Sequence, residues 1–325
     1  MNRKQRRRSE AKGARGITAP ASAATEEFSA ADAFAFLLSP RDRYHPQDGT
    51  PPSQGYVFDS IYAATRRRFG GAPSLPRLLD TVREAQVFSE KAWASAQTRP
   101  GTLPEGQIAC RKGCSWCCHQ QVSVSVAEAI AITDHVTRRF APDRLAALRT
   151  RLDALDQRTA GLGPTDYART ASPCAFLEEG SCSIHTVRPF RCRAYHSTDA
   201  DYCHWKLDHP EEAAAERRER RVRPVYPGEP VRIFDGALRG MATAIRDSGF
   251  PGGAHFLTGA VRIALDQPDA GARWLKGEAV FAPALIPPDI LAAEMASATP
   301  SMVHAPGNTG SEAPHSDFQE TSAQT

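Results

Sequence analysis

No stretch of this 325-residue chain approaches the roughly 18 apolar residues that a membrane-spanning helix needs. Walker and dinucleotide glycine patterns are missing too; Gly161-Leu-Gly163 and Gly252-Gly253 read as helix punctuation. No internal repeat and no alternation of strand and helix patterns is visible, which argues against a solenoid and against a parallel α/β sheet. Charge of one sign is scarce, at a net +3. The excess sits in residues 1–16, where seven Lys/Arg stand against one Glu. That basic start runs into Ile17-Thr-Ala-Pro-Ala-Ser rather than an apolar segment, so no secretory signal is expected and the chain is assigned to the cytoplasm. The basic tail reads as a solubilising arm, with weak nucleic-acid contact as its alternative role. No membrane partner is expected, and a protein partner or substrate is left unidentified.

Cysteine is also scarce, but it is concentrated. All eight lie between Cys110 and Cys203, and four crowd into Cys110-Arg-Lys-Gly-Cys114-Ser-Trp-Cys117-Cys118. Thiols used for packing would be scattered. A reducing compartment disfavours persistent disulfides, and eight in 325 is far below the density of a disulfide scaffold. Metal binding is the remaining use, with Cys110, Cys114, Cys117, Cys118, Cys174, Cys182, Cys192 and Cys203 as candidate ligands. His119, His185, His196 and His204 are possible additional ones.

The chain divides into a basic disordered tail (1–27), an N-terminal helical region (28–107), a cysteine-cluster domain (108–205), a C-terminal helical region (206–283) and a disordered tail (284–325). The expected fold class is mainly α, a helical domain around an irregular, cysteine-rich metal-binding centre with disordered termini. Apolar residues recur at helical spacing over 75–97. Ser125 and Glu128 have the spacing of a capping box at the start of the next helix, and Pro142 opens another that runs to Gly161. Those two are expected to pair as an antiparallel hairpin. Residues 164–209 read as irregular, 210–223 as a charged run forming a solvated helix or linker, and 231–248 and 254–266 as two amphipathic helices.

Gly113 gives the first cysteine loop the freedom to turn sharply. Thiolates around a metal leave negative charge, which Arg111, Lys112, Arg188, Arg191 and Arg193 are placed to offset. Trp116 and Phe176 could shield the centre. Adjacent Cys117 and Cys118 are expected to point apart and to serve different centres, unless one is no ligand. The spacing fits neither a two-knuckle zinc module nor a ferredoxin run. Cys110-x3-Cys114-x2-Cys117 has the spacing of radical S-adenosylmethionine enzymes, but the barrel that such chemistry needs is not visible downstream. A redox dithiol at Cys114 and Cys117 lacks its strand–helix context. Glu178-Glu179 reads as a solvated turn beside Gly180.

The first cysteine group is followed by Pro173-Cys174-Ala-Phe176-Leu177, Gly180-Ser-Cys182-Ser-Ile184-His and Arg188-Pro189-Phe-Arg-Cys192-Arg193. Together these blocks, over residues 108–205, resemble the YkgJ-type cysteine-cluster family, a zinc- or iron-chelating domain named for its CxxCxxCC motif. The chain departs from the family in having three residues between Cys110 and Cys114, and Ala175 and His185 where Pro and Tyr are common. The resemblance implies a bacterial cytosolic protein holding an iron–sulfur cluster, of the 4Fe-4S kind, or zinc, in a structural, storage or sensing role. A related branch, flagellin lysine N-methylase, implies the alternative of an S-adenosylmethionine-dependent protein methylase, and leaves open whether the chain is an enzyme.

Overall fold

The computed structural model describes residues 54–103, 107–219 and 221–291. The tail at 1–27, with its proposed nucleic-acid contact, lies outside them, as does 292–325. Helix α1 (Gln54–Phe69) buries Val57, Ile61, Thr65 and Phe69, a one-face pattern of every fourth residue. Helix α2 (Leu75–Gln97) starts where Ser74 accepts a hydrogen bond from the Arg77 amide, and it buries Leu78, Val82, Ala85 and Trp93. Helix α3 (Val126–Arg139) carries the expected capping box. Helix α4 (Pro142–Thr159) buries Leu148, Leu152 and Leu155.

Two longer C-terminal helices close the core. In α9 (Gly228–Arg246), Ile233, Phe234, Ala237 and Met241 are buried, and in α10 (Leu257–Asp266) so are Val261 and Ile263. Helix α9 packs on α1 and α2, and α10 packs on α3 and α4. The expected α3–α4 hairpin is therefore corrected. The two-residue link leaves Phe140 and Ala141 extended, and both helices pack chiefly on α10 rather than on each other. Contact between α1 and α9 is close because Gly236 and Gly240 face it. A Cβ at either would lie 2.5 Å from the carbonyl oxygen of Gln54 or Phe58.

Residues 164–209 are more regular than expected. They hold the short helices α5 (Pro164–Arg169), α6 (Phe190–Ala194) and α7 (Ala200–Asp208), and the charged run that follows contains α8 (Pro210–Arg218). Strand β1 (Ser123–Val124) pairs antiparallel with β4 (His255–Phe256), and β2 (Leu177–Glu178) with β3 (Ser181–Cys182). A short helix α11 (Ala270–Trp274) follows α10. The disordered tail does not begin at 284: the Ile286 amide donates to the Ala254 carbonyl at 2.9 Å, and Ala284 and Ile286 are buried. Their apolar side chains reach the core before the Pro- and Ser-rich composition takes over. Among the described residues, no helix is long and apolar enough to cross a membrane.

Candidate metal centre

The first cysteine group is built on a 3-10 turn, Trp116–His119, entered through Gly113 at a positive φ of 89°. Cys117 and Cys118 are successive residues of this turn. Successive side chains of a 3-10 turn diverge less than those of an extended strand, and the two thiols are hydrogen-bonded to each other. The second group returns directly to the first, because the Cys174 amide donates to the Cys118 carbonyl at 2.8 Å. Glu179 and Gly180, both at positive φ, make the two-residue turn between β2 and β3 that places Cys182 opposite Leu177.

Glu178 is no solvated loop residue. It accepts hydrogen bonds from Arg144 at 2.7 Å and Arg151 at 2.5 Å, while Arg151 also donates to the Ala175 carbonyl at 2.9 Å, clamping the hairpin onto α4. Cys192 lies on α6, whose first amide, from Phe190, donates to the Glu128 carboxylate at 2.8 Å. Glu128 also accepts from the Ser125 amide and hydroxyl at 2.9 and 2.8 Å. Its side chain is fully buried, and burial raises its pKa. The capping box was legible in the sequence; its second task of holding α6 was not.

The eight thiols are free and divide by environment, with Cys110 exposed and the other seven half-buried. A charge on any one of Cys117, Cys174, Cys182 and Cys192 would raise the pKa of another, and this holds for every pair among the four. Burial is the first cause of the raised values at Cys174, pushed up to about 12, and at Cys182 and Cys192. For Cys117 the first cause is its hydrogen bond with Cys118. Cys110 instead senses Cys114, Cys117 and Cys203, and its sulfur accepts from the Ser197 amide at 3.3 Å. Cys203 lies 3.7 Å from the Tyr226 hydroxyl. Cys117 thus stands between two groups, with Cys174, Cys182 and Cys192 of the second block on one hand, Cys110, Cys114 and Cys203 on the other, and Cys118 beside it.

Of the five basic residues expected to offset thiolate charge, Arg188 stands out. Its charge lowers the pKa of Cys117, Cys182 and Cys192, and its Nε is buried without a hydrogen-bond partner. Arg193 is turned toward Glu90, Gln86 and the carbonyls of Arg188 and Thr186, although it still acts weakly on Cys182. Arg191 lines a separate cleft. Three of the four histidines already have partners. His119 bonds the Ser115 carbonyl, His196 accepts from the Trp93 indole at 3.2 Å, and His204 stacks on Trp116 with ring centroids 4.0 Å apart. Phe176 is buried in the core beside the thiols.

Among the described residues, no three Cys, His, Asp or Glu side chains converge, as they stand, to hold a metal ion. The chemistry of the set nevertheless fits one. Soft sulfur donors suit zinc or iron, four share one neighbourhood, and the orphaned Arg188 donor fits beside a negative centre. A crevice of about 380 Å³, open to solvent, reaches Cys174 and is lined by Gln121, whose buried Oε1 has no partner.

The family model described as "CxxCxxCC: Putative zinc- or iron-chelating domain" matches residues 109–212. No curated protein and no solved structure matches the chain significantly.

Proposed function

We propose that the chain chelates iron, as an iron–sulfur cluster, or zinc, through Cys117, Cys174, Cys182 and Cys192, in a structural, storage or sensing role. The observation that carries this reading is the direct joining of two cysteine blocks distant in sequence, the Cys174 amide donating to the Cys118 carbonyl at 2.8 Å. Iron in a cluster is favoured because each of its corner irons takes one thiol, which suits donors that share a neighbourhood without converging on a point. Cys110, Cys114, Cys118 and Cys203 are reserve donors for a second centre.

Protein purified without oxygen should be brown, with iron and acid-labile sulfide in similar amounts. Colourless protein with stoichiometric zinc would select the zinc form, and protein that binds neither metal would sink the reading. Changing Cys182 or Cys192 to Ser should lower metal content as much as changing Cys117. The resemblance to the flagellin lysine N-methylase branch gives a second reading, a methylase that uses S-adenosylmethionine beside the centre; calorimetric titration of the cosubstrate into oxygen-free protein tests it.

A further inference from the structure

A second cleft, open to solvent, encloses about 830 Å³, is mostly apolar and has no cysteine in its lining. It is lined by β1 with Ser125 and by one face of α9, where Leu238 stands beside Arg239, and Ala242 and Thr243 lie between Arg239 and Arg246. Ala254 and Leu291 close the opposite side, and Arg191 enters from α6. The lining thus carries three guanidinium groups and one carboxylate, Asp235. Arg239 is only 13% exposed and pairs with Asp235, one turn before it on α9, at 3.6 Å. Asp235 is also engaged by the Gln54 amide, and Arg246 pairs with Asp247 at 3.1 Å. Each guanidinium has five N–H donors, so the pairs it already makes do not use up its capacity.

We propose that this cleft binds an organic anion with an apolar body, its carboxylate or phosphate held between Arg191 and Arg239 and its apolar part lying along α9 toward Arg246. Seven residues of helix separate the two α9 arginines, about 10 Å along the axis, which leaves room for a medium-length alkyl chain against Leu238, Ala242 and Val124. Guanidinium matches the planar geometry of carboxylate and phosphate bidentately, and a partly desolvated site strengthens that contact. Mostly apolar clefts with a few convergent polar groups are the usual form of small-molecule sites. The inference does not depend on the metal reading.

The test is calorimetric titration of the full chain with decanoate and with decyl phosphate, against decanol and decyltrimethylammonium, all below their aggregation concentrations. At least one of the two anions should bind one to one, at least tenfold more tightly than decanol or the cation, and the stronger anion names the headgroup. Arg239→Gln should weaken that binding at least tenfold, and Arg239→Lys less. Because a change at Arg239 could disturb folding, Ala242→Trp provides an independent variant that fills the cleft and leaves the arginines in place; it too should weaken binding at least tenfold with the melting temperature retained. Failure of both anions to bind, equal binding of decanol, or undiminished binding by folded Ala242→Trp would each overturn the proposal.

Discussion

Glu128 shows how much one side chain can carry. Its carboxylate caps α3 through Ser125 and receives the first amide of α6, from a residue 62 positions later. The capping half was legible because it is local, a Ser and a Glu three apart. The other half was not, because nothing in the sequence near Phe190 marks which distant acceptor its amide will find. Glu128→Ala leaves three buried donors unsatisfied, and should destabilise the chain by about 3–5 kcal/mol. Glu128→Gln keeps an acceptor and should cost clearly less. Denaturant unfolding measures both, and equal losses for the two would show that the hydrogen bonds are not the cause. Charge compensation followed the same pattern: sequence proximity nominated five basic residues, and only folding singled out Arg188.

At the level of elements, periodicity was reliable where helices are long. Helices α2, α3, α4, α9 and α10 all fall where apolar spacing places them. Helix α1 was lost in a wider helical region because its buried face includes Thr65 and follows a Pro-rich stretch. The short helices α5 to α8 have too few turns to show a period, and tertiary contacts hold them instead. Partners were less legible than elements, as the divergence of α3 and α4 shows. The α1–α9 contact gives a direct check. Gly236→Ala would drive a Cβ to within 2.5 Å of backbone, where nothing flexible can yield. The variant should lose about 1–3 kcal/mol, and hydrogen exchange should quicken in α1 before it does in α3. Unchanged protection of α1 would show that the close approach is not structurally required.

For the molecule as a whole, acid sensitivity follows from buried histidines. His255, 3% exposed in β4, is held neutral by burial, with a pKa lowered to about 4. In the unfolded chain a histidine takes up its proton near pH 6.5. Stability is therefore complete above that value and is lost as pH falls toward 4, by on the order of 3 kcal/mol for this group. His255→Gln should flatten the difference in unfolding free energy between pH 7.5 and pH 4.5, measured on metal-free protein. An unaltered slope would assign the acid sensitivity to other groups, His196 first among them.

The backbone bond from Cys174 to Cys118 bears on traffic rather than on strength. Small zinc modules commonly fold only when loaded, so releasing the metal dissolves the site. Here the two thiol-bearing segments are fastened to each other, to α4 through Glu178 and to α3 through Glu128 by bonds that involve no sulfur. On the proposed reading, such a vessel can be emptied and refilled without being rebuilt, and the rate of exchange is then set by access to the thiols rather than by the slower clock of folding.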